Sequence, residues 1–304
     1  MALRGARGAG VRAGPFLACA AGDFPVVVTR DGEGTLRAFL NVCRHRGSVI
    51  AAGSGHRMTL QCPYHAWTYG LDGSLVAAPR ADREGSFDPD ELGLVPAAVD
   101  SWGPFLFVSV EPDATLTEAL GDVPQWLDVE GLVFHRRADW VVEANWKIAC
   151  ENYLECYHCA VGHPGFSEVV DVSPDAYRLE ANGRVASQYG PARDGGLTSQ
   201  FHFVWPNLKI NVFPGEPNLS IGHVLPAGPE CATGFLDYFF APGVDEEWLG
   251  DFFELDEQVG FEDAALVENV QQGVRTGVLE RGHLLAESEQ LVAWFQARVA
   301  EALA

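Results

Sequence analysis

The chain has 304 residues, of which 47% are hydrophobic and 20% are charged, so it is long enough for two domains with a sizeable core. Its 42 acidic and 20 basic residues give a net charge of −22, which disfavours binding to nucleic acid or to an anionic membrane. Seven cysteines, an odd number over this length, argue against a disulfide framework and favour a reducing cytoplasm. No run of about 18 apolar residues indicates a membrane span.

The pattern of apolar residues and turns predicts two domains in chain order. Residues 1–23 carry three arginines and a short apolar patch, and we expect a poorly ordered segment there. Residues 24–112 alternate apolar runs with Gly and Pro turns and predict a small all-β domain. Residues 113–304 predict a helix over 140–160, strands over 175–242 and helices from 246 onward. The predicted fold class is therefore α+β, with the second domain built from an antiparallel sheet flanked by helices.

Two short motifs in the first domain each combine one cysteine with one histidine. They are Cys43-x-His45 and Cys62-x-x-His65, with sixteen residues between them. Structural zinc sites usually pair two Cys in one motif and two His in the other. Mixed motifs suit a centre with two different metals, as in a Rieske [2Fe–2S] cluster, where two His replace two Cys on one iron. Zinc remains the alternative metal for these four residues.

A second set of metal-binding residue types lies in the second domain. His158 and His163 are five residues apart, which on a continuous helix would point them about 140° away from each other. Gly162 interrupts the helix and allows His163 to turn back towards His158. Two His with one carboxylate form the facial triad of non-haem Fe(II) oxygenases. Asp263 and Glu262 are the candidate carboxylates, and an acidic helix turn exposed to water is the alternative.

The position of the apolar residues favours Asp263 over Glu262. Asp263 falls roughly 25° from the centre of the apolar helix face and Glu262 roughly 75° from it, at about 100° per residue. The residues that mark this face are Leu255, Val259, Leu266, Val267, Val270 and Val274.

Both sets resemble one family, the Rieske oxygenases of the ring-hydroxylating type. "CRHRG" and "CPYHAW" resemble its cluster motif, and Ser48 and Tyr64 stand where respiratory Rieske proteins carry a disulfide. "NWKIACENYLECYH", the four residues and His after it, and "ED" with "VENVQQGV" resemble its catalytic domain. The resemblance runs from about Phe24 to the end of the chain.

This resemblance implies two cofactors and their ligands. A Rieske [2Fe–2S] cluster would bind Cys43, His45, Cys62 and His65, and a mononuclear Fe(II) would bind His158, His163 and Asp263. Members of the family act as terminal oxygenases on a small organic substrate and O2. Their electrons come from NAD(P)H through a separate flavin/iron–sulfur reductase. The family forms ring-like trimers, and Glu155 matches the acidic residue that links an iron His to a cluster His of the neighbouring subunit.

Within the family, "ENYLECYHC" most resembles the branch that oxidises quaternary amines such as choline, carnitine and glycine betaine. The aromatic-ring branch usually has Asp where Glu155 stands. An aromatic cage for an N-methyl cation has candidates on one alternating region, although alternating aromatics in a sheet commonly form core. These candidates are Phe201, Phe203, Trp205 and Phe213. We expect Cys150, Cys156 and Cys159 to be buried thiols.

Three other functions remain open from the sequence. The first is a cis-dihydroxylating dioxygenase of aromatic rings with the same metals. The second is an electron-transfer Rieske protein without oxygenase activity, against which the pair His158 and His163 argues. The third is a zinc-stabilised binding module, which would be colourless.

Overall fold

A computed structural model of the protein describes residues 14–304, which form two compact units divided between Leu116 and Thr117. This division lies close to the predicted boundary after residue 112. The expectation of a poorly ordered segment over residues 1–23 is wrong for its second part, because Gly14–Ala21 is a strand paired on both sides. Residues 1–13 lie outside the described residues.

The first unit is built from nine strands. These are β1 (Gly14–Ala21), β2 (Phe24–Arg30), β3 (Leu36–Leu40), β4 (Ser54–Arg57), β5 (Thr59–Gln61), β6 (Thr68–Gly70), β7 (Leu75–Ala77), β8 (Pro96–Trp102) and β9 (Phe105–Ser109), with 3₁₀ turns at Ala81–Arg83 and Pro89–Leu92. Antiparallel pairing orders six of them as β4-β1-β2-β3-β8-β9 and the other three as β5-β6-β7.

Strand β2 lies at the centre of this unit because both of its faces are buried. Val27 packs into the cluster that contains Cys43, Cys62 and Tyr69. Val26 and Val28 pack into a second cluster on the other face. A continuous run of valines is what a strand covered on both sides requires. The strand therefore anchors the loops that carry the two cysteines.

The second unit contains the remaining helices and strands. These are α1 (Leu116–Leu120), α2 (Val123–Trp126), β10 (Val133–Val142), α3 (Trp146–Tyr153), α4 (Cys159–Gly162), α5 (Pro164–Val169), β11 (Arg178–Asn182), β12 (Val185–Gly190), β13 (Ser199–Val204), β14 (Leu208–Val212), β15 (Asn218–Gly228), β16 (Cys231–Phe240), α6 (Glu246–Arg275) and α7 (Gln290–Ala302).

The seven strands of the second unit form one antiparallel sheet in the order β10-β16-β15-β14-β13-β12-β11. Helices α3, α6 and α7 cover one face of it. Phe203 of β13, Cys150 of α3, Val267 of α6 and Phe295 of α7 share a cluster in which each is at most 3% exposed. The predicted α+β fold class, with a small all-β part and an antiparallel sheet flanked by helices, is confirmed.

The predicted helix over residues 140–160 is wrong at both ends. Strand β10 continues to Val142, and α3 begins only after Asn145, whose side chain accepts a hydrogen bond from the Lys147 N–H. The helix ends at Tyr153, and the Glu155 carboxylate then accepts a hydrogen bond from the Tyr157 N–H. A side chain that competes for backbone donors in this way ends a helix. The histidines thus lie on short segments beyond α3.

The long helix α6 also differs from its predicted pattern. It runs through Gly260 and Gly273 without a break and ends at Arg275. Val267 is buried as predicted, but Val270 and Val274 are 50% and 44% exposed, so the predicted apolar face is buried only in part. Among the described helices, none is long and apolar enough to cross a membrane.

We predict that Gly222→Ala destabilises the second unit. A Cβ atom at this position on β15 would lie 1.7 Å from the Phe235 carbonyl oxygen on β16, and backbone atoms in paired strands cannot move apart freely. The expected loss is about 3 kcal/mol or more, measured by urea unfolding followed by circular dichroism. Gly260→Ala is the control, since its Cβ would meet nothing within 4 Å and a helical Ala should stabilise by about 0.5–1 kcal/mol. An unchanged midpoint for Gly222→Ala would contradict this packing.

Candidate metal centres

The two Cys-His loops of the first unit are closed by the same hydrogen bonds. The N–H of Cys43 donates to the Ser48 carbonyl, and the N–H of Cys62 donates to the Trp67 carbonyl, each at 2.8 Å. In both loops a bond of 3.0 Å returns to the cysteine carbonyl from the residue four positions later. Two loops of equal shape therefore present their cysteines in equivalent positions.

The residue four positions after each cysteine has a left-handed backbone. Gly47 has φ = 75° and Ala66 has φ = 60°. Glycine adopts this conformation freely, whereas alanine adopts it at a cost. The second loop accepts that cost at Ala66, which indicates that its surroundings hold the turn in place.

Folding sorts the four candidate ligands by type, although each sequence motif mixes them. Cys43 and Cys62 are both 2% exposed, and the Cys43 side chain is close enough to help lower the pKa of Cys62. His45 and His65 are exposed, with ring centroids 4.6 Å apart. Two thiols on one side and two imidazoles on the other fit a two-iron cluster better than a single tetrahedral zinc.

Tyr69 supports the buried side of this set and was missed by the sequence analysis. It is fully buried, and its hydroxyl lies 3.3 Å from the Cys43 sulfur. The same hydroxyl accepts a hydrogen bond from the Arg44 N–H at 3.0 Å. Burial and the contact with Cys43 both raise the pKa of this tyrosine, so it stays protonated and able to donate to the sulfur. Hydrogen bonds to cluster sulfurs raise the reduction potential.

In the second unit, His158, His163 and Asp263 come together at one point. Their nearest atoms form a triangle, with the two Nε2 atoms 3.0 Å apart. Oδ1 of Asp263 lies 3.0 Å from Nε2 of His163 and 3.5 Å from Nε2 of His158. Among the described residues, this is the group of three His, Cys or carboxylate side chains close enough to share one metal ion.

The triangle has the dimensions of one face of an octahedral metal site. Metal–ligand bonds of about 2.1 Å at right angles place neighbouring ligand atoms about 3.0 Å apart. Two imidazoles and one carboxylate on one face leave the opposite positions open. His163 is buried, whereas the side chains of His158 and Asp263 are 20% and 35% exposed. The residues present therefore fit a mononuclear ferrous ion that a small molecule can reach.

Short turns and close packing bring the two histidines to this point. His158 precedes α4 and His163 precedes α5. A Cβ on Gly162 would lie 3.2 Å from the Leu266 side chain of α6 and 3.4 Å from the His158 ring. Gly162 is the last residue of α4, so a helix ends there as predicted, and its missing side chain also leaves room for α6.

A carboxylate holds the outer nitrogen of each histidine. Glu155 hydrogen-bonds Nδ1 of His158, and Glu262 lies 2.8 Å from Nδ1 of His163. An imidazole that donates its Nδ1–H to a carboxylate leaves the lone pair of Nε2 for a metal. Asn152 further fixes Asp263 by donating to its Oδ1 at 2.6 Å. Glu262, a candidate ligand from the sequence, thus contacts the wrong nitrogen for that role, and no motif or helix pattern indicated Asn152.

The charges at this point favour a cation. Burial lowers the pKa of His158, but hydrogen bonds to Asp263 and Glu155 outweigh it and raise the pKa to about 9. Burial alone would raise the pKa of Asp263, yet its bonds to the two histidines hold the pKa well below the usual value. In the absence of metal, a proton therefore takes the place of a positive ion between these groups.

The structure also decides the state of the cysteines near the triangle. Cys156 and Cys159 flank His158 and are buried as predicted, but they form a disulfide rather than two thiols. Cys150 is a free, buried thiol that packs beneath α3.

The predicted aromatic cage divides between two clusters of buried side chains. Phe203 packs against Phe295, with centroids 5.6 Å apart, and Trp205 contacts the same ring at 5.7 Å. Phe201 and Phe213 instead pack against each other, at 5.4 Å. This arrangement agrees with the alternative that these aromatics form core.

Comparison with known protein families identifies both units. Residues 6–98 match the Rieske [2Fe-2S] domain, and residues 129–196 and 175–304 match the catalytic domain of the ring hydroxylating alpha subunit. The chain belongs to the Rieske non-haem iron oxygenases. The family's cofactors are a Rieske [2Fe–2S] cluster and a mononuclear iron, as the sequence predicted.

Several relatives of this Rieske oxygenase are oxygenases of quaternary amines by name. The chain is 34% identical to the chloroplastic choline monooxygenase of Atriplex hortensis, over 88% of this chain and 65% of that protein. It is 34% identical to the carnitine monooxygenase oxygenase subunit of Acinetobacter pittii, over 91% and 81%. The chain thus spans about two thirds of the plant relative's length.

Solved structures of Rieske oxygenases share the fold. The quaternary ammonium Rieske monooxygenase CntA in complex with L-carnitine superposes with a TM-score of 0.81 at 31% identity, over 96% of this chain and 85% of that one. Naphthalene 1,2-dioxygenase from Rhodococcus sp. gives 0.73 at 22% identity, over 96% and 87%. The second likeness concerns the fold alone.

We predict different results for the two neighbouring acids of α6. Asp263→Ala should lose the mononuclear iron and keep the cluster, because it removes one of three ligands. Glu262→Ala should keep the iron with an affinity lowered about 10–100-fold, because only the orientation of His163 is lost. Iron content by elemental analysis, beside the visible spectrum of the cluster, measures both. Loss of iron in Glu262→Ala but not in Asp263→Ala would reverse the assignment.

Proposed function

We propose that the protein is a terminal oxygenase that uses O2 and reductase-delivered electrons to oxidise a small quaternary amine. The triangle of His158, His163 and Asp263 carries the oxygenase part of this proposal, since it leaves one side of a metal open. The substrate class is supported by the relatives named choline and carnitine monooxygenases. It is also supported by CntA structures that hold L-carnitine or γ-butyrobetaine.

The ligands follow from the chemistry of the donor atoms. Cys43 and Cys62 would hold one cluster iron as thiolates, and His45 and His65 would hold the other through their imidazoles. His158, His163 and Asp263 would hold the mononuclear iron. Bound in this way, a ferrous ion supplies the binding and activation of O2. The side chains around it bind, orient and supply protons.

Two carboxylates keep the mononuclear ligands in the required state. Glu155 and Glu262 accept the Nδ1 protons of His158 and His163, so both rings keep their orientation and their Nε2 lone pairs. Asn152 stops the Asp263 carboxylate from rotating away, through its hydrogen bond to Oδ1. These contacts preorganise the triangle before any substrate arrives.

The reaction balances with two electrons, two protons and one O2 per turnover. One oxygen atom enters a C–H bond next to the substrate nitrogen, and the other leaves as water. A hydroxylated N-methyl group then breaks down to formaldehyde and the demethylated amine. If the longer carbon chain is hydroxylated instead, trimethylamine and an aldehyde are released.

The electron supply requires partners. We propose a separate NAD(P)H-dependent flavin/iron–sulfur reductase and a homotrimer, in which Glu155 links His158 to a cluster histidine of the neighbouring subunit. A structure of CntA is described as giving insight into inter-subunit electron transfer, which supports this arrangement. We propose the cytoplasm as the location, because an odd number of cysteines argues against a disulfide framework.

The proposal predicts that quaternary amines drive oxygen consumption. With NADH and a surrogate reductase, choline, glycine betaine or γ-butyrobetaine should stimulate O2 uptake, with formaldehyde or trimethylamine as product. Naphthalene and benzoate should not, and Asp263→Ala should abolish the response. Formation of a cis-diol from an arene without any response to amines would show the alternative, a ring-dihydroxylating dioxygenase.

Glu155→Ala should separate electron entry from electron use. Glu155 lies in a turn, with its side chain 12% exposed, and it hydrogen-bonds His158. We propose that electrons pass from the cluster to the iron through this residue. In stopped-flow experiments the reductase should reduce the cluster normally. Reoxidation by O2 and substrate should slow by about 10–100-fold.

Glu155→Gln is the matched control for the turn, because its amide oxygen can still accept the Tyr157 N–H bond. Slow reoxidation in both variants would support the bridge. Wild-type rates of reoxidation in Glu155→Ala would exclude it.

A further inference from the structure

Lys209 places a positive charge inside the catalytic unit, on the side of the sheet that faces the helices. In β14, Leu208, Ile210 and Val212 are buried on one face, and Lys209 and Asn211 alternate with them. Asn211 accepts a hydrogen bond from the Tyr153 hydroxyl of α3 at 2.5 Å. Lys209 therefore points to the same side, towards the helix that leads into the histidine segment.

The surroundings of the Lys209 ammonium are aromatic. Its Nζ lies 5.1 Å from the centroid of the Tyr153 ring and 5.4 Å from that of Trp140 on β10. On β15, the residue opposite Lys209 is Gly222, which adds no side chain. Aromatic faces stabilise an ammonium group but supply no hydrogen-bond acceptor. The residue as a whole is only partly exposed to solvent.

No carboxylate of the described residues forms an ion pair with Lys209. Asp263 and Asp256 act on it from a distance and favour its charged form, whereas burial lowers its pKa. The Asp263 carboxylate already contacts the two histidines, and Asp256 accepts a hydrogen bond of 2.5 Å from the Tyr238 hydroxyl. A buried charge without a direct partner costs free energy, which an arriving anion would offset.

Asp263 and Lys209 are close enough for their charges to interact, and they belong to two regions of opposite charge. At the iron end, Asp263, Glu155 and Glu262 together outweigh the two positive charges of a ferrous ion. At the other end is the ammonium of Lys209. A quaternary ammonium is attracted to the first end and repelled by the second. A substrate that also carries a carboxylate satisfies both ends, whereas choline satisfies one.

We propose that Lys209 binds the carboxylate of the substrate, so that the protein selects betaine-type zwitterions over quaternary amines without an acid group. This inference rests on the proposed function, because it orients the same substrate at the same iron. It names Lys209 as the residue that decides between the two kinds of amine.

The experiment compares two ligands of the same length, γ-butyrobetaine and butyltrimethylammonium, which lacks the carboxylate. Dissociation constants are measured by calorimetry on the holoenzyme without O2, and kcat/KM by O2 uptake. In Lys209→Met, the affinity for γ-butyrobetaine should fall about 10- to 100-fold, the range for a lost charged hydrogen bond. Binding of butyltrimethylammonium should stay the same or become tighter.

Two further variants keep the test sharp. Lys209→Arg keeps the charge and should retain most of the selectivity. Lys147→Met changes the other lysine of the chain, whose Nζ lies 5.6 Å from the Trp146 ring. It should leave the dissociation constants of both ligands unchanged. Equal effects of Lys209→Met on both ligands, or no effect, would overturn the role of Lys209 while leaving amine oxidation intact. Binding of neither compound by the wild type would overturn the proposed function and this inference together.

Discussion

The candidate active site depends on the close packing of helix α6 against the segment from His158 to His163. Glu262 and Asp263 are neighbours on this helix, and they reach the two opposite nitrogens of the same ring, at 2.8 Å and 3.0 Å from His163. The approach is possible because Gly162 and Gly165 present no side chain to Leu266 and Leu255 of α6. A Cβ atom at either glycine would lie 3.2–3.3 Å from a leucine side chain of α6, so the packing here is tight.

The first unit meets a similar requirement with two loops of the same shape. The equivalent backbone bonds at Cys43 and Cys62 fix both sulfurs in the interior, where Tyr69 contacts one of them. The histidines follow at different distances, two residues after Cys43 and three after Cys62, and both face solvent. A cluster bound by these four residues would have its cysteine ligands in the interior and its histidine ligands facing solvent.

Charge is distributed in the catalytic unit in a way that net charge does not reveal. The chain carries a net charge of −22, yet only a few of its acidic residues contact the two histidines of the candidate site. Glu155, Glu262 and Asp263 all contact histidines, so their charge is directed at the histidine pair rather than at solvent. Lys209, one of two lysines, is placed against the rings of Trp140 and Tyr153.

By itself, the sequence determined the fold class, the family and the residue types at both metal sites, because ligand chemistry restricts them to short motifs such as Cys43-x-His45. It also indicated Asp263, from the apolar face of a helix. Only the tertiary structure decided which groups lie together. It places the two cysteines in the interior, Glu262 next to Nδ1 of His163, and the Asn152 amide in a hydrogen bond to Asp263. It also decided where α3 ends and where Lys209 points. These features depend on contacts between residues about 100 positions apart or on side chains that compete for the backbone, and local periodicity carries no record of either.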